Sequence, residues 1–339
     1  MSQDSKSNGK GFISRLKRKF RSSTPQLDLR GKTVLVTGTT SGLGLEACRQ
    51  FLAHGVSQLI MTARTEEKGE NVAESLRFRY PDADIQVWAL EMESYDSINA
   101  FVERALVDLD RLDMVILNAG TLEPKTIMSR QAGHEKMFQV NYVSTALLAR
   151  LLIPLLRVVP PDDEASRLTI VTTGVYRPND YFTEPPTFES LSRVNLLQDG
   201  NELGLNHLWT RFIQPRMFLK PYISRLASRV NPNEVIINFV VPGLVKNTQL
   251  TDKSKGVSWF RRTVRATHAL FGKSLKRGAA TYIDAVAVKS KSDFYIPPEW
   301  IEFENCLWED TEEEFREIYK HKEGIAATLY KVGSLSPPS

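Results

Sequence analysis

Cysteine is nearly absent from this chain: two residues, Cys48 and Cys306, stand in 339. They lie far apart, and neither has a Cys or His neighbour at zinc-ligand spacing. A disulfide framework and a metal site are both read as absent, and the compartment as reducing and cytoplasmic. Long apolar runs are missing too. No uninterrupted stretch approaches the ~18 residues of a membrane span. The nearest, Val143 to Val159, is broken by Arg150 and Pro154 and reads as a buried core helix. The first ten residues are polar, which argues against a secretory leader.

Charge of one sign is lacking outside one short segment. The net charge is +4, but residues 1–30 carry eight bases against Asp4 and Asp28, so that segment holds +6 and the rest −2. A near-neutral globular part offers no nucleic-acid surface. Within the segment, Phe12, Ile13, Leu16 and Phe20 recur at helical spacing among the bases. Two readings stay open for residues 10–21: a solvated arm, or a basic amphipathic helix resting weakly on an anionic membrane and making the protein peripheral to it.

What is present begins at Thr33-Val34-Leu35-Val36-Thr37-Gly38-Thr39-Thr40-Ser41-Gly42-Leu43-Gly44. Val34 to Thr37 read as a buried strand, uninterrupted by charge. Gly38, Gly42 and Gly44 follow, with small hydroxyl residues between the first two. Leu45, Cys48, Phe51 and Leu52 then resume at helical spacing. Strand, glycine turn and helix in that order let backbone approach a pyrophosphate and aim a helix N-terminus at it, which predicts nucleotide binding. The bland alternative is a tight turn without a ligand.

From Lys32 onward short apolar strands alternate with amphipathic helices. Strands are expected at Gln58–Ala63, Ile85–Leu90, Asp113–Leu117, Leu168–Thr173 and Val235–Val241, with a short last one at Phe294–Ile296. Helices are expected near Glu66–Tyr80, Tyr95–Leu109, Lys136–Leu156, Arg216–Val230 and Gly278–Lys289. The proline-bearing connection at about 174–208 is too long for an ordinary loop and reads as a substrate lid. This pattern implies an α/β protein with a single parallel sheet covered by helices on both faces. The domain is expected over 31–310, flanked by the basic tail 1–30 and a charged C-terminal tail, 311–339, with no clear core.

The glycine turn Thr37–Gly44, Asn118-Ala119-Gly120 after the fourth strand, Asn141 in the long helix and Pro242-Gly243 after the sixth strand together make the chain resemble the short-chain dehydrogenase/reductase family over roughly residues 31–300. Within that family it is most similar to fungal enzymes related to retinol dehydrogenases. The resemblance implies a doubly wound Rossmann fold with its cofactor across the carboxyl ends of the strands, at the switch in strand order. Gly38, Thr40, Ser41, Gly42, Leu43 and Gly44 then form the turn over the pyrophosphate. Arg64 ends the second strand where an acidic residue would favour NAD; with Lys68 it suits the 2′-phosphate of NADP(H). Glu91 stands where the family has an Asp contacting the adenine amino group. Asn118, with Ala119 and Gly120, lies beside the adenine ribose, and Val245 near the nicotinamide amide. Homodimers paired through the long helices are also implied.

The family's reaction depends on Ser, Tyr and Lys, with an Asn supporting a proton relay, here Asn141. Tyr and Lys must stand four apart to share a helix face. None of the ten tyrosines has a lysine four residues on. The segment that aligns best, Trp209 to Arg216, carries Phe212 for the tyrosine, Pro215 for a small residue and Arg216 for the lysine; Thr173 stands for the serine. Phe212 cannot transfer a proton. Arg216 keeps a charge and hydrogen-bond donors for ribose hydroxyls. Pro215 predicts that the helix begins near there or bends. Tyr176 and His207 are the candidate substitute proton donors. Three functions remain open on this reading: an NADP(H)-dependent reductase of a carbonyl or imine on a small lipophilic substrate of secondary metabolism, a non-redox isomerase or cyclase, and a catalytically silent NADP-binding protein.

Overall fold

The computed structural model describes residues 27–123, 125–129, 131–158, 163–173, 205–246, 272–287 and 301–332. Six strands form one sheet: β1 (Thr33–Val36), β2 (Gln58–Ala63), β3 (Asp84–Ala89), β4 (Met114–Leu117), β5 (Ser166–Val171) and β6 (Val235–Val240). All pairings are parallel and the spatial order is β3-β2-β1-β4-β5-β6. The order therefore reverses between β1 and β4, where open sheets of this kind place their ligands.

Strand periodicity explains the two cores. Along β1, Val34 and Val36 enter one apolar cluster and Leu35 the other; along β4, Met114 and Ile116 enter the first, Val115 and Leu117 the second. Successive side chains point to opposite faces, so a fully apolar strand must be covered on both. The first face is covered by α1 (Gly42–Ala53), α2 (Glu66–Arg79) and α6 (Leu275–Ala287). The second is covered by α3 (Tyr95–Asp108), α4 (Lys136–Leu156) and α5 (Leu205–Ala227). α4 is long and apolar enough to cross a membrane by composition alone, but it is 94% buried inside the protein. Its first turns widen into a π-helical segment, Gln139–Val143, which contains Asn141.

Several expectations need correction. Pro215 does not start a helix: α5 begins at Leu205 and continues through both Pro215 and Pro221. Tertiary packing of Phe218, Leu219, Tyr222, Ile223 and Leu226 into the core offsets the ~3 kcal/mol cost of an interior proline. The segment from Glu312 is not a coreless tail. It belongs to α7 (Ile301–Tyr319), which spans the boundary placed at 310, and α8 (Ile325–Val332) follows. Phe303, Leu307, Trp308, Phe315, Tyr319 and Tyr330 all enter the second core. These helices lie over α3, α4 and α5, so pairing of two chains through the long helices would have to displace them. Residues 1–26, most of the expected lid (174–204) and the expected strand 294–296 lie outside the described residues.

Candidate functional site

The site begins with a turn stitched to both neighbouring strands. Thr37 Oγ1 accepts the backbone N–H groups of Asn118 and Ala119, each at 2.9 Å. Gly38 N–H donates to Thr62 Oγ1, and Thr39 Oγ1 to the Thr62 carbonyl. Asn118 Nδ2 donates to the carbonyls of Thr37 and Gly38, at 2.8 and 3.2 Å. Its Oδ1 accepts from Tyr282 Oη at 2.8 Å. The Asn118 side chain is thus spent on holding the turn to β4, rather than offered to a ribose.

After the turn, α1 starts without help. Ser41 occupies the cap position in extended conformation but makes no side-chain capping bond, and the first turn holds no acidic residue. The first N–H groups of a helix have no partner within it, and its N-terminus carries the positive end of the dipole. Here that end opens on a cavity of about 920 Å³, lined by residues at or just beyond the carboxyl end of every strand. Every residue assigned to cofactor binding lies on its wall: Gly38, Thr40 to Gly44, Arg64, Lys68, Glu91, Asn118 to Gly120, and Val245. Thr173, Phe212 and Arg216 line it too.

At the β2–β3 end the wall is charged. Arg64 and Lys68 are exposed, and neither forms an ion pair or hydrogen bond with another described residue. Glu91 accepts the Glu93 N–H at 3.2 Å, and Glu93 pairs with Lys136 at 2.5 Å.

At the β4–β5 end the chemistry changes. Arg216 is 6% exposed, and no carboxylate pairs with it among the described residues. Nη1 donates to the Val171 carbonyl at 2.7 Å and Nη2 to the Ala119 carbonyl at 3.3 Å, while Nε has no partner among the described residues. Burial pushes the guanidinium pKa down to about 10, opposed by nearby Tyr282, so it stays charged at neutral pH. The Phe212 ring lies 5.4 Å from its centre, one helical turn back. Gly120 makes the room: a Cβ there would stand 1.8 Å from Arg216 Nη2. Thr173 Oγ1 is buried without a hydrogen-bond partner among the described residues. Its neighbour Thr172 is bound to the Arg216 carbonyl.

Asn141 is placed differently. Its side chain pairs reciprocally with the Thr121 backbone, at 2.9 Å in both directions, and it is not part of the cavity wall. Tyr176 lies outside the described residues, as does the side chain of His207. Sequence reasoning missed Tyr282, which lines the cavity and whose phenol burial holds well above its ordinary pKa. It stands 164 residues from its partner Asn118, and no local pattern marks it. Arg211, buried with Glu135 at 2.8 Å, was also missed; it ties α5 to the start of α4.

Residues 32–175 match the family model described as short chain dehydrogenase. The chain is 36% identical over 282 residues to short chain dehydrogenase/reductase mfmJ of Annulohypoxylon moriforme, covering 83% of this chain and 79% of that protein. It is 33% identical over 306 residues to short chain dehydrogenase virL of Hypocrea virens, covering 85% and 86%. Among solved structures, a short chain dehydrogenase of Shigella flexneri complexed with NADP superposes with a TM-score of 0.53 at 19% identity, covering 79% of this chain and 96% of that one. L-sorbose reductase of Gluconobacter frateurii, complexed with NADPH and L-sorbose, gives 0.53 at 18% identity, covering 78% and 92%.

Proposed function

The chain belongs to the short-chain dehydrogenase family, and from that premise we propose that it is an NADP(H)-dependent oxidoreductase acting on a carbonyl or imine of a small, lipophilic secondary metabolite. One observation carries this reading: a single cavity joins the uncapped N-terminus of α1, the cations Arg64 and Lys68 just after β2 and the hydroxyl of Thr173, the last three without partners among the described residues.

The wall fits a dinucleotide. A Cβ on Gly44 would stand 2.3 Å from the Gly38 carbonyl oxygen, so only glycine leaves the turn tight enough for backbone N–H groups to meet a pyrophosphate. Arg64 and Lys68 would hold a 2′-phosphate, and Val245 would border the nicotinamide. Two structures of the same fold were solved with NADP or NADPH. The cofactor supplies a hydride when bound. For the chain's own part, Thr173 Oγ1 donates to a carbonyl oxygen, or accepts from an iminium N–H, and Arg216 supplies a fixed positive charge at the same end.

A carbonyl substrate also needs a proton. Phe212 has none to give, and Tyr282 is committed to Asn118 with its pKa raised. A missing general acid lowers the rate about 10²- to 10⁴-fold. An iminium substrate avoids that loss, because hydride delivery to it needs no proton. For ketones, Tyr176 is our candidate donor. The absence of a phenol at Phe212 also supports a second reading, a silent NADP-binding protein or a non-redox isomerase.

The test is NADPH consumption across cyclic imines, ketones and aldehydes. Turnover is expected with cyclic imines and is lost in Thr173→Ala; NADPH binding without turnover anywhere in the panel would favour the second reading. Arg64→Ser removes a charge-assisted contact worth about 1.5–3 kcal/mol, so NADPH affinity should fall about 10- to 100-fold with NADH affinity unchanged. An equal loss for both cofactors would show that Arg64 does not read the phosphate.

A further inference from the structure

A buried cation needs an anion, and the described residues supply none to Arg216. Its guanidinium has five N–H groups. Two are given to the carbonyls of Val171 and Ala119, and Nε has no partner among the described residues. The acidic residues on the cavity wall, Glu91 and Glu93, sit after β3, and Glu93 is already paired with Lys136. Among the described residues, the ionisable group that bears on Arg216 is Tyr282, whose phenol is neutral. The Phe212 ring lies 5.4 Å from the guanidinium carbon, and the Thr173 hydroxyl, without a partner among the described residues, lines the same cavity. Leu122, Val171 and Ile213 add apolar surface to the wall.

A desolvated charge without a counter-ion is costly. Ribose hydroxyls or a neutral carbonyl would satisfy donors but leave the charge uncompensated. A carboxylate does both, because the planar guanidinium matches its two oxygens. We propose that Arg216 and Thr173 form a carboxylate-binding subsite, and that the substrate is an apolar organic acid anchored there by its carboxylate. The position that would hold a catalytic lysine thereby becomes a specificity determinant. This rests on the cavity assigned above to NADP(H) and substrate, but the subsite is readable without cofactor.

The experiment is calorimetric titration of the full-length protein with naphthoate and with its neutral isostere naphthamide, with and without NADPH. Naphthoate should bind at least about tenfold more tightly than the amide, the size expected of one charge-assisted contact. The preference should vanish in Arg216→Gln and persist in part in Arg216→Lys, which keeps charge but not the fork. Equal affinities for the two ligands in the wild type overturn the subsite, whatever NADPH does. A retained naphthoate preference with no NADPH binding overturns the cofactor reading and leaves the subsite standing. A crystal structure of the wild-type naphthoate complex reads the same point without any variant: the carboxylate should meet the Arg216 guanidinium, and a carboxylate on Arg64 or Lys68 instead overturns the assignment.

Discussion

Gly44→Ala should abolish NADPH binding while leaving most of the protein folded. The new Cβ would meet the Gly38 carbonyl oxygen at 2.3 Å and Asn118 Nδ2 at 2.6 Å. Neither can step aside cheaply. Gly38 is backbone, held to β2 through Thr62, and Asn118 is fixed by Thr37, Gly38 and Tyr282. Relieving the clash means moving the first turn of α1 off the turn that aims it. Gly42→Ala is the contrast. A Cβ at Gly42 meets nothing within 4 Å, but the backbone there has φ +59°. Its cost is the left-handed strain of one residue, about 1–2 kcal/mol. The two variants therefore separate close approach from backbone conformation. Measured by the enhancement of NADPH fluorescence, Gly44→Ala should show no saturable binding and Gly42→Ala a weakened curve. Normal binding by Gly44→Ala would mean that the cradle is not where the nucleotide goes.

The second large effect belongs to the C-terminal helices. A chain ending at residue 300 should not fold cooperatively. Trp308 stacks on Tyr222 at 4.9 Å, and Tyr142 Oη is bonded to Thr311 at 2.7 Å. Glu312 receives both Arg150, at 3.0 Å, and Tyr222, at 2.9 Å. Removing α7 and α8 would expose α4 and α5 and leave Arg150 without its carboxylate and its aromatic cover. Each large apolar side chain lost from cover is worth about 1.5–3 kcal/mol. Phe303, Leu307, Trp308, Phe315, Tyr319 and Tyr330 are all buried, so their combined loss is as large as a typical total stability of about 5–15 kcal/mol. Phe315→Ala gives the graded form: a loss of about 3–5 kcal/mol, seen as a lower urea midpoint with an unchanged slope. Cooperative unfolding of the shortened chain would show that the two helices are decoration.

Why the sequence revealed some of this and not the rest follows from local physics. Val34 to Val36 and Met114 to Leu117 announce buried parallel strands because nothing charged interrupts them. The glycine turn announces itself because its spacing has a mechanical reason. α7 hides, since Glu302, Glu304, Glu309, Asp310 and Glu312–Glu314 surround its apolar stripe. The stripe was there at Phe303, Leu307, Thr311, Phe315 and Tyr319, one residue in every four. Pro215 misled in the opposite direction, because propensity argues locally while Phe218 and Tyr222 are held by partners far along the chain. The same non-locality conceals Tyr282. Residue type alone could not show that the Asn118 side chain serves the turn and the Asn141 side chain the Thr121 backbone. With Phe212 and Arg216 proposed to stand in for a tyrosine and a lysine, the cavity's reactive end is expected to be built for something other than ordinary proton relay.

The central claim is that the cavity over the glycine turn holds NADP(H), and direct titration of the wild-type protein with NADPH and NADH tests it. Saturable enhancement of NADPH fluorescence is expected, with NADPH binding at least about tenfold tighter than NADH because of the unpaired cations at the end of β2. No saturable signal with either cofactor would contradict the account.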